Sequence, residues 1–377
     1  MDLGLSESQQ MLKNSAREFL ERECPTSFVR ATEKDERGYS PELWAKMAEL
    51  GWLGLMVPEE HGGMGAGFVD LAVLLEEMGR ALLPGPFLPT VVLGGLPLAE
   101  FGTAEQKRDL LPKIAQGQII CTAAIAEPSA TFEASGIQLQ AQARAGEYVL
   151  NGTKLFVPDA HVSDYLLVAA RTGTGGGPEE GVTVFIVPGD ARGLKRRVLK
   201  TIASDRQCEV ALENVAVPRN SVLGQVDGGW AIVERMRDWA AVALCAQLVG
   251  NMDRVLEMTV EYAKQRVQFG RPIGSFQAIQ HHCADMATDV EGSRYIMYQA
   301  AWKLAQGDKA GLEVAMAKAW CSAASARVSS LAHQSHGAIG FTMEHDLQLF
   351  TRRAKAWELS FGDPDFHREL VAQEMGA

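Results

Sequence analysis

The chain has 377 residues, too many for one ordinary hydrophobic core, and its net charge of −11 at pH 7 argues against a nucleic-acid partner. Its hydrophobic content of 47% is typical of a globular protein, and no segment approaches the roughly 18–20 apolar residues of a membrane span. The six cysteines are scattered without a Cys-x-x-Cys pair, and the N-terminus lacks a basic region followed by an apolar one. We therefore expect reduced core thiols and a cytoplasmic protein that does not bind a membrane.

The N-terminal third of the chain predicts helices. Ser6 with Gln9 and Thr103 with Gln106 each have the spacing of a capping box, in which two side chains satisfy free backbone N–H groups at the helix start. The glycine-rich segment 51–68 lies between such helices, but no strand precedes it and no Gly-Lys-Ser follows. A turn between helices is therefore favoured over a phosphate-binding loop.

From about residue 121 to residue 223 the hydrophobic period shortens to that of strands. Ile137 and Leu139 alternate with polar residues, as expected for a half-buried strand. Asn151-Gly152 lies between two apolar runs and predicts a two-residue hairpin. Several short strands at hairpin spacing predict a small antiparallel barrel or sandwich.

Long alanine-rich helices dominate the C-terminal part. Their predicted bounds are Trp230–Gln268, Ser275–Gln306 and Asp308–His333. Short connections place consecutive helices antiparallel, as in a helix bundle. The predicted fold class is multidomain α+β, with an N-terminal helical domain at 1–120, a middle antiparallel β-barrel or sandwich domain at 121–225 and a C-terminal helical bundle at 226–377.

The segment Tyr262–Gln280 contains the first candidate binding residue. Arg266 ends a long apolar-periodic helix, and Gly270 and Pro272 stop that helix and form a tight corner before the next one. A guanidinium at such a corner suits a two-point contact with an anion such as pyrophosphate. The same arginine would also stabilise the C-terminus of its helix through the helix dipole, so the local sequence leaves both roles open.

Two histidines near the C-terminus raise the question of a metal site. His333 and His336 lie three residues apart, close to Glu344 and His345. Di-iron bundles carry Glu-x-x-His pairs on two helices, and this sequence contains no such pair, so we predict no metal site. A Ser-His-Asp triad likewise lacks the Gly-x-Ser-x-Gly turn that would support it.

Two segments, together with the order of the domains, resemble the acyl-CoA dehydrogenase family: RVQFGRPIGSFQAIQ, which begins at Arg266, and QSHGAIGFTMEHDLQLFTRR, which spans Gln334–Arg353. The resemblance covers essentially the whole chain. It implies an N-terminal helical domain, a middle β-domain and a C-terminal four-helix bundle, with FAD between domains and across a dimer interface, in dimers that pair into tetramers. It also implies a reaction that removes an α-proton and a β-hydride from an acyl-CoA thioester and passes electrons through the flavin, usually to electron-transferring flavoprotein.

The half of the implied FAD site that holds the adenosine pyrophosphate looks intact. By resemblance, the neighbouring subunit supplies these residues: Arg266, Gln268, Phe269, Phe276 and Gln277. The family's Gln-x-x-Gly-Gly segment matches Gln334, Gly337 and Ala338, with alanine in place of the second glycine. A guanidinium suits the phosphates, and small residues let the backbone approach the cofactor.

The half that would contact the flavin ring differs from the family pattern. Ala126 stands where the family's Thr-Glu-Pro has its threonine, so a hydroxyl near flavin N5 is absent. Phe156 and Pro158 match a tryptophan and a threonine of the family. An aromatic platform therefore remains, and a second hydroxyl donor is absent.

The implied catalytic base is missing as well. Its usual position matches Phe361, and the alternative position on the first bundle helix matches Ala240. Removal of an α-proton needs a general base within hydrogen-bond reach, which neither side chain provides. Asp363 is the one substitute that we consider, and its other interpretation is a solvated surface charge.

Three hypotheses about function stay open. In the first, the chain is an FAD-dependent acyl-CoA dehydrogenase subunit, and a second acyl-CoA dehydrogenase subunit in a dimer of dimers supplies the catalytic glutamate and the flavin-ring contacts. In the second, it is a homomeric flavoprotein, as a homodimer or homotetramer, with a relocated base or monooxygenase chemistry. In the third, it is a non-catalytic structural subunit. The resemblance favours the first, because paired dehydrogenases of this kind, some acting on steroid side chains or dicarboxylic acyl-CoAs, contain one such depleted subunit.

Overall fold

The computed structural model describes residues 4–173, 176–307 and 309–376. The chain groups into two compact units. The bundle unit contains the described parts of Met1–Ala31, Gly67–Leu83 and Ala241–Ala377, and the sheet unit contains Thr32–Ala66 and the described parts of Pro84–Ala240. Because both units include part of the first 120 residues, the three domain boundaries of the sequence stay a prediction.

The described residues form eleven α-helices, and the predicted capping boxes are confirmed at two of their starts. Ser6 accepts the Gln9 N–H while the Gln9 side chain accepts the Ser6 N–H, and Thr103 with Gln106 does the same. The helices are α1 (Glu7–Glu23), α2 (Thr26–Thr32), α3 (Pro41–Glu49), α4 (Phe68–Arg80), α5 (Leu96–Phe101), α6 (Ala104–Ala115), α7 (Gly229–Gln265), α8 (Gln277–Ala305), α9 (Gly311–His336), α10 (Leu347–Leu359) and α11 (Pro364–Glu374). No described helix combines the length and the apolar composition that crossing a membrane requires.

The sheet unit contains one eight-stranded, sandwich-like sheet. Its strands are β1 (Cys121–Ala124), β2 (Gln140–Arg144), β3 (Glu147–Pro158), β4 (Tyr165–Arg171), β5 (Val182–Pro188), β6 (Leu194–Leu199), β7 (Gln207–Pro218) and β8 (Val222–Leu223). The order is β6-β7-β3-β2-β4-β5-β8, with β1 beside β4. β1 and β2 both pair with β4 in parallel, so the sheet is mixed, whereas the sequence predicted an antiparallel one. Hairpin spacing in a sequence predicts pairing only between consecutive strands. β4 is consecutive with neither β1 nor β2, so its parallel pairings were not predicted.

Asn151-Gly152 does not form the predicted hairpin. β3 continues through both residues, and the turn between β2 and β3 lies at 145–146. The pairing of β3 with β7 shifts register between Leu150 and Gly152, and the Asn151 side-chain oxygen accepts the Asn214 N–H at 2.8 Å. The asparagine and glycine therefore form a β-bulge in a continuous strand.

The corner after α7 is a β-hairpin, where the sequence predicted that the two helices meet directly. α7 ends at Gln265, and two short strands, β9 (Val267–Gln268) and β10 (Arg271–Pro272), pair antiparallel. Phe269 and Gly270, between them, have φ of 52° and 78°, and a type I′ turn requires positive φ at both central residues. The next helix begins two residues after its predicted start, and the predicted start of α9 at Asp308 lies outside the described residues.

Glycines bring α4 and α7 into close contact within the bundle unit. A Cβ at Gly79 would overlap the backbone of Gln247, and a Cβ at Gly250 would overlap the backbone of Glu76. Beside this contact, the buried Glu76 carboxylate accepts the Tyr298 hydroxyl of α8 at 2.7 Å. The glycines therefore let α7 pack closely on α4, and the Glu76–Tyr298 hydrogen bond connects α4 to α8.

Candidate functional site

The hairpin after α7, residues 266–272 and here called the arginine hairpin, presents a free cation and an exposed ring. The Arg266 N–H donates to the Tyr262 carbonyl at 2.8 Å, which continues the helical bonding by one residue. Within the part of the chain that the structure describes, its exposed guanidinium forms no ion pair and no hydrogen bond. The Phe269 side chain is 92% exposed, because the positive φ turns it away from the helices. An unpaired guanidinium of this kind is available for an external anion.

The residues that follow the hairpin form an aromatic and cationic cluster. The Arg271 guanidinium lies 4.2 Å from the Phe276 ring centroid, and the Phe269 ring meets Phe276 edge-on with 6.0 Å between centroids. Gln268 and Gln277 are exposed on either side. Of the five residues that the sequence assigned to this segment, the structure brings Phe269 and Phe276 into contact and leaves Arg266, Gln268 and Gln277 exposed nearby in the chain.

The second predicted segment, Gln334–Ala338 and here called the glutamine segment, lies in the same unit at the end of α9. Gln334 and Ala338 are exposed. Gly337 has a φ of 67°, and a Cβ there would contact nothing within 4 Å. The backbone conformation, and not crowding, therefore favours glycine at this position.

A ring stack joins the glutamine segment to the arginine hairpin. Tyr262, in the last turn of α7, stacks on His336 with 4.5 Å between ring centroids. His336 lies two residues after Gln334, and Tyr262 lies four residues before Arg266. The two segments that the sequence identified separately are therefore neighbours in space.

A cleft of about 590 Å³, lined mainly by apolar surface, opens along the glutamine segment between α9 and α10. Gln334, Gly337 and Ala338 line one part of it. Hydroxyl, apolar and charged side chains line the rest, among them Ser329, Phe341 and Lys355.

The histidines beside this cleft do not form a metal centre. Burial lowers the pKa of His333 and of His336, and the nearby His345 lowers both further. Their rings stack on aromatic neighbours, and no group of three or more potential metal ligands occurs among the described residues.

In the sheet unit, Ala126 lies against the same strand as Phe156 and Pro158. The Leu155 N–H donates to the Ala126 carbonyl at 2.9 Å, and the Pro158 carbonyl accepts the Thr122 hydroxyl at 2.7 Å. Phe156 has a φ of 52° and is 56% exposed, at a register shift of β3. A strained, exposed aromatic residue at a bulge is typical of a functional surface.

The sequence did not assign a role to the ion pair behind this surface. Lys154 is fully buried, and its ammonium lies 2.7 Å from the Glu127 carboxylate. Burial lowers the pKa of Lys154 to about 8, and the carboxylate opposes that shift. A lysine in a strand usually points to solvent, so only the tertiary structure reveals this pair.

The structure places the three residues that the sequence analysis considered for the catalytic base as follows. Phe361 has a φ of 56°, and its carbonyl lies 2.9 Å from His367 Nε2. Asp363 caps α11, with its carboxylate accepting the Phe366 N–H at 2.8 Å. Ala240 is fully buried in α7.

A second buried lysine, which the sequence analysis did not identify, contacts the end of α10. The Lys318 ammonium donates to the carbonyls of Trp357 and Glu358 at 2.9 and 2.8 Å, which are free groups at the C-terminus of α10. Burial lowers the pKa of Lys318 to about 8. The lysine therefore ends α10 immediately before the turn that contains Phe361.

In chain order, the described residues form helices, then a mixed β-sheet, then a second set of helices. Three domain families match in chain order: "Acyl-CoA dehydrogenase, N-terminal domain" over residues 6–118, the middle domain over 122–215 and the C-terminal domain over 227–376. The chain belongs to the acyl-CoA dehydrogenase family.

Individual relatives agree with this assignment along their whole length. The chain is 32% identical to a probable acyl-CoA dehydrogenase, YngJ, of Bacillus subtilis strain 168, with 100% of both chains covered. It is 29% identical to the solved structure of PigA with FAD and proline, with a TM-score of 0.92 over 100% of this chain and 99% of that one. It is 30% identical to a chain of the ChsE4-ChsE5 complex of Mycobacterium tuberculosis, with a TM-score of 0.91 and the same coverage.

Proposed function

We propose that the chain is a subunit of an FAD-dependent acyl-CoA dehydrogenase that works as a heteromer. FAD is its cofactor. This chain contributes the residues that hold the adenosine pyrophosphate, and a second acyl-CoA dehydrogenase subunit contributes the catalytic glutamate and the contacts to the flavin ring. The observation that carries the proposal is the contrast between an intact arginine hairpin and glutamine segment and the missing carboxylates at Phe361 and Ala240.

The donor set in the bundle unit fits the adenosine pyrophosphate of FAD. The unpaired Arg266 guanidinium would hold the phosphates, since its planar fork matches two phosphate oxygens. Gln334 and the exposed backbone at Gly337 would hold the adenosine beside the hydroxyl-lined cleft. When bound, FAD accepts the two electrons that leave the acyl chain.

Proton removal is the step that this chain does not provide. The α-proton of a thioester needs a base within hydrogen-bond reach. Asp363 is the nearest carboxylate in sequence to Phe361, and it already accepts the Phe366 N–H as a helix cap. We therefore assign the base to the partner subunit, and electron-transferring flavoprotein is the proposed electron acceptor.

If this chain and its partner each contribute half of one FAD site, the number of flavins per chain distinguishes a heteromer from a homomer. A pair of unlike chains contains one complete site, built from this chain's pyrophosphate residues and the partner's ring residues. The reciprocal site lacks the ring contacts and the base. We therefore expect a single flavin for each pair of unlike chains.

The test is to purify the chain alone and co-purified with a candidate partner dehydrogenase, and to count flavins per chain by absorbance. We expect little flavin on the chain alone, and anaerobic bleaching by an acyl-CoA only in the complex. Full flavin occupancy and bleaching with the chain alone would instead establish a homomer with a relocated base. Failure of bleaching in every complex would favour a non-catalytic subunit.

A further inference from the structure

The two histidines at the end of α9 hold the turn that follows it. His336 stacks on Tyr262 of α7 with 4.5 Å between centroids and 21° between planes. His333 stacks on Phe341, at the end of the turn, with 4.2 Å between centroids and the same angle. One ring thus connects α9 to α7, and the other closes the turn on α9.

The Tyr262–His336 stack spans the two segments proposed to hold the pyrophosphate. The Tyr262 carbonyl accepts the Arg266 N–H at 2.8 Å, so the ring and the guanidinium share one helical turn. The His336 Nδ1–H donates to the Ala332 carbonyl at 2.8 Å, which fixes the imidazole on α9. Because each ring is fixed to its own helix, their contact sets the spacing between Arg266 and Gln334.

The turn has little freedom to adopt another position. Gly340 is buried against both histidines, since a Cβ there would lie 3.0 Å from His333 Nδ1 and 3.2 Å from His336 Cβ. His333 Nε2 lies 2.8 Å from Thr351 Oγ1 on α10. The glutamine segment is therefore held by α9 and α10. The Tyr262–His336 stack connects it to the end of α7, and Ser335 Oγ lies 3.4 Å from His282 Nδ1 of α8.

We propose that Tyr262 and His336 are positioning residues of the cofactor site, whose stacked rings hold the arginine hairpin and the glutamine segment at the spacing of one adenosine pyrophosphate. The proposal rests on the proposed function, because it requires that both segments bind the same cofactor. The two rings act through Arg266 and Gln334. They give a role to His336, which the metal interpretation had left unexplained.

The experiment measures the FAD dissociation constant of the deflavinated complex by flavin fluorescence. Tyr262→Ala and His336→Ala remove a ring, whereas Tyr262→Phe and His336→Phe keep a planar ring for stacking. Because an aromatic pair contributes modestly beyond its buried area, we expect the alanine variants to weaken FAD binding about 3- to 10-fold and the phenylalanine variants to retain it. Tyr295→Ala, at a half-exposed tyrosine of α8 in the same unit, is the matched control and should leave FAD affinity unchanged.

A double variant separates positioning from general loss of packing. In Tyr262→Ala with His336→Ala, the loss should be smaller than the product of the single losses, because the first change already breaks the stack. Tyr262→Leu keeps a large apolar side chain but has no planar ring to stack on His336. It replaces Tyr262→Ala if the alanine variant does not fold. It should also weaken FAD binding.

The experiment distinguishes failure of the positioning role from failure of the proposed function. If Arg266→Ala weakens FAD binding while the ring-deleting variants do not, the positioning role is wrong and the proposed function stands. If Arg266→Ala leaves FAD binding unchanged, the proposed function itself fails. Equal losses in the alanine and phenylalanine variants would also contradict stacking as the cause.

Discussion

At the scale of single residues, Arg266 directly follows the last residue of α7 and has an exposed side chain. Its charge and its place at the end of a helix are evident from the sequence, and local sequence alone favours a capping role over a binding role. The guanidinium is exposed and unpaired beyond the helix end within the described chain, which supports the proposed binding role. A residue that only capped α7 would direct its donors to the last carbonyls of that helix.

The prediction for Arg266 concerns geometry as well as charge. Arg266→Lys keeps the positive charge and loses the two-point fork, so we expect FAD affinity to fall, though less than the roughly 10- to 100-fold expected for Arg266→Ala. Titration of the deflavinated complex with FAD at low and moderate salt measures both. Lys264→Ala, on the same helix end and already paired with Glu261 at 2.9 Å, is the control. Equal affinity of the lysine and arginine proteins would refute a two-point contact.

At the scale of elements, the sequence identifies residues that tolerate a turn but does not predict which of them reverse the chain. Asn151-Gly152 suits a type I′ turn, yet it forms a bulge, because β3 continues alongside β7 on both sides. Phe269-Gly270 forms a two-residue turn, although phenylalanine rarely adopts a positive φ. Local sequence states which residues tolerate a turn, whereas the partner strand decides where the chain reverses.

The Lys154–Glu127 pair gives a prediction about the sheet unit. Lys154→Met leaves a buried carboxylate without its cation, so we expect a loss of about 3–5 kcal/mol in the free energy of unfolding. Adding Glu127→Leu should recover only part of it, because the N–H groups of Gln138 and Leu139 then lose the oxygen that accepts both at 3.0 Å. Denaturant unfolding measures both variants. Lys195→Met, in an exposed pair with Glu213, is the control and should change stability little.

At the scale of the whole molecule, the order of helical and β regions could be predicted because hydrophobic periodicity reports it directly. The residues that we propose to hold the pyrophosphate could be named because two contiguous segments contain them. Lys154 and Lys318 could not, since their burial depends on strands and helices far away in the chain. The ring contact between Tyr262 and His336 is likewise a property of the fold and not of either segment.

The last prediction concerns which chain of the assembly removes the proton. The turn at Phe361 is rigid, because Lys318 fixes the end of α10, His367 bonds the Phe361 carbonyl and Asp363 caps α11. Phe361→Glu would therefore place a carboxylate where the family carries its base. If the partner's glutamate removes the α-proton of the acyl-CoA, changing it to glutamine should abolish anaerobic bleaching by acyl-CoA, and Phe361→Glu in this chain should not restore it.

The uncharged Phe361→Gln is the matched control for this rescue experiment, since it has the same shape as glutamate without the charge. Both variants should leave flavin content unchanged, because Phe361 lies outside the arginine hairpin and the glutamine segment. Bleaching restored by Phe361→Glu and not by Phe361→Gln would show that this chain's own flavin-ring site is competent. That outcome would contradict the proposal that the partner subunit supplies the flavin-ring contacts, since this chain would then lack only the carboxylate.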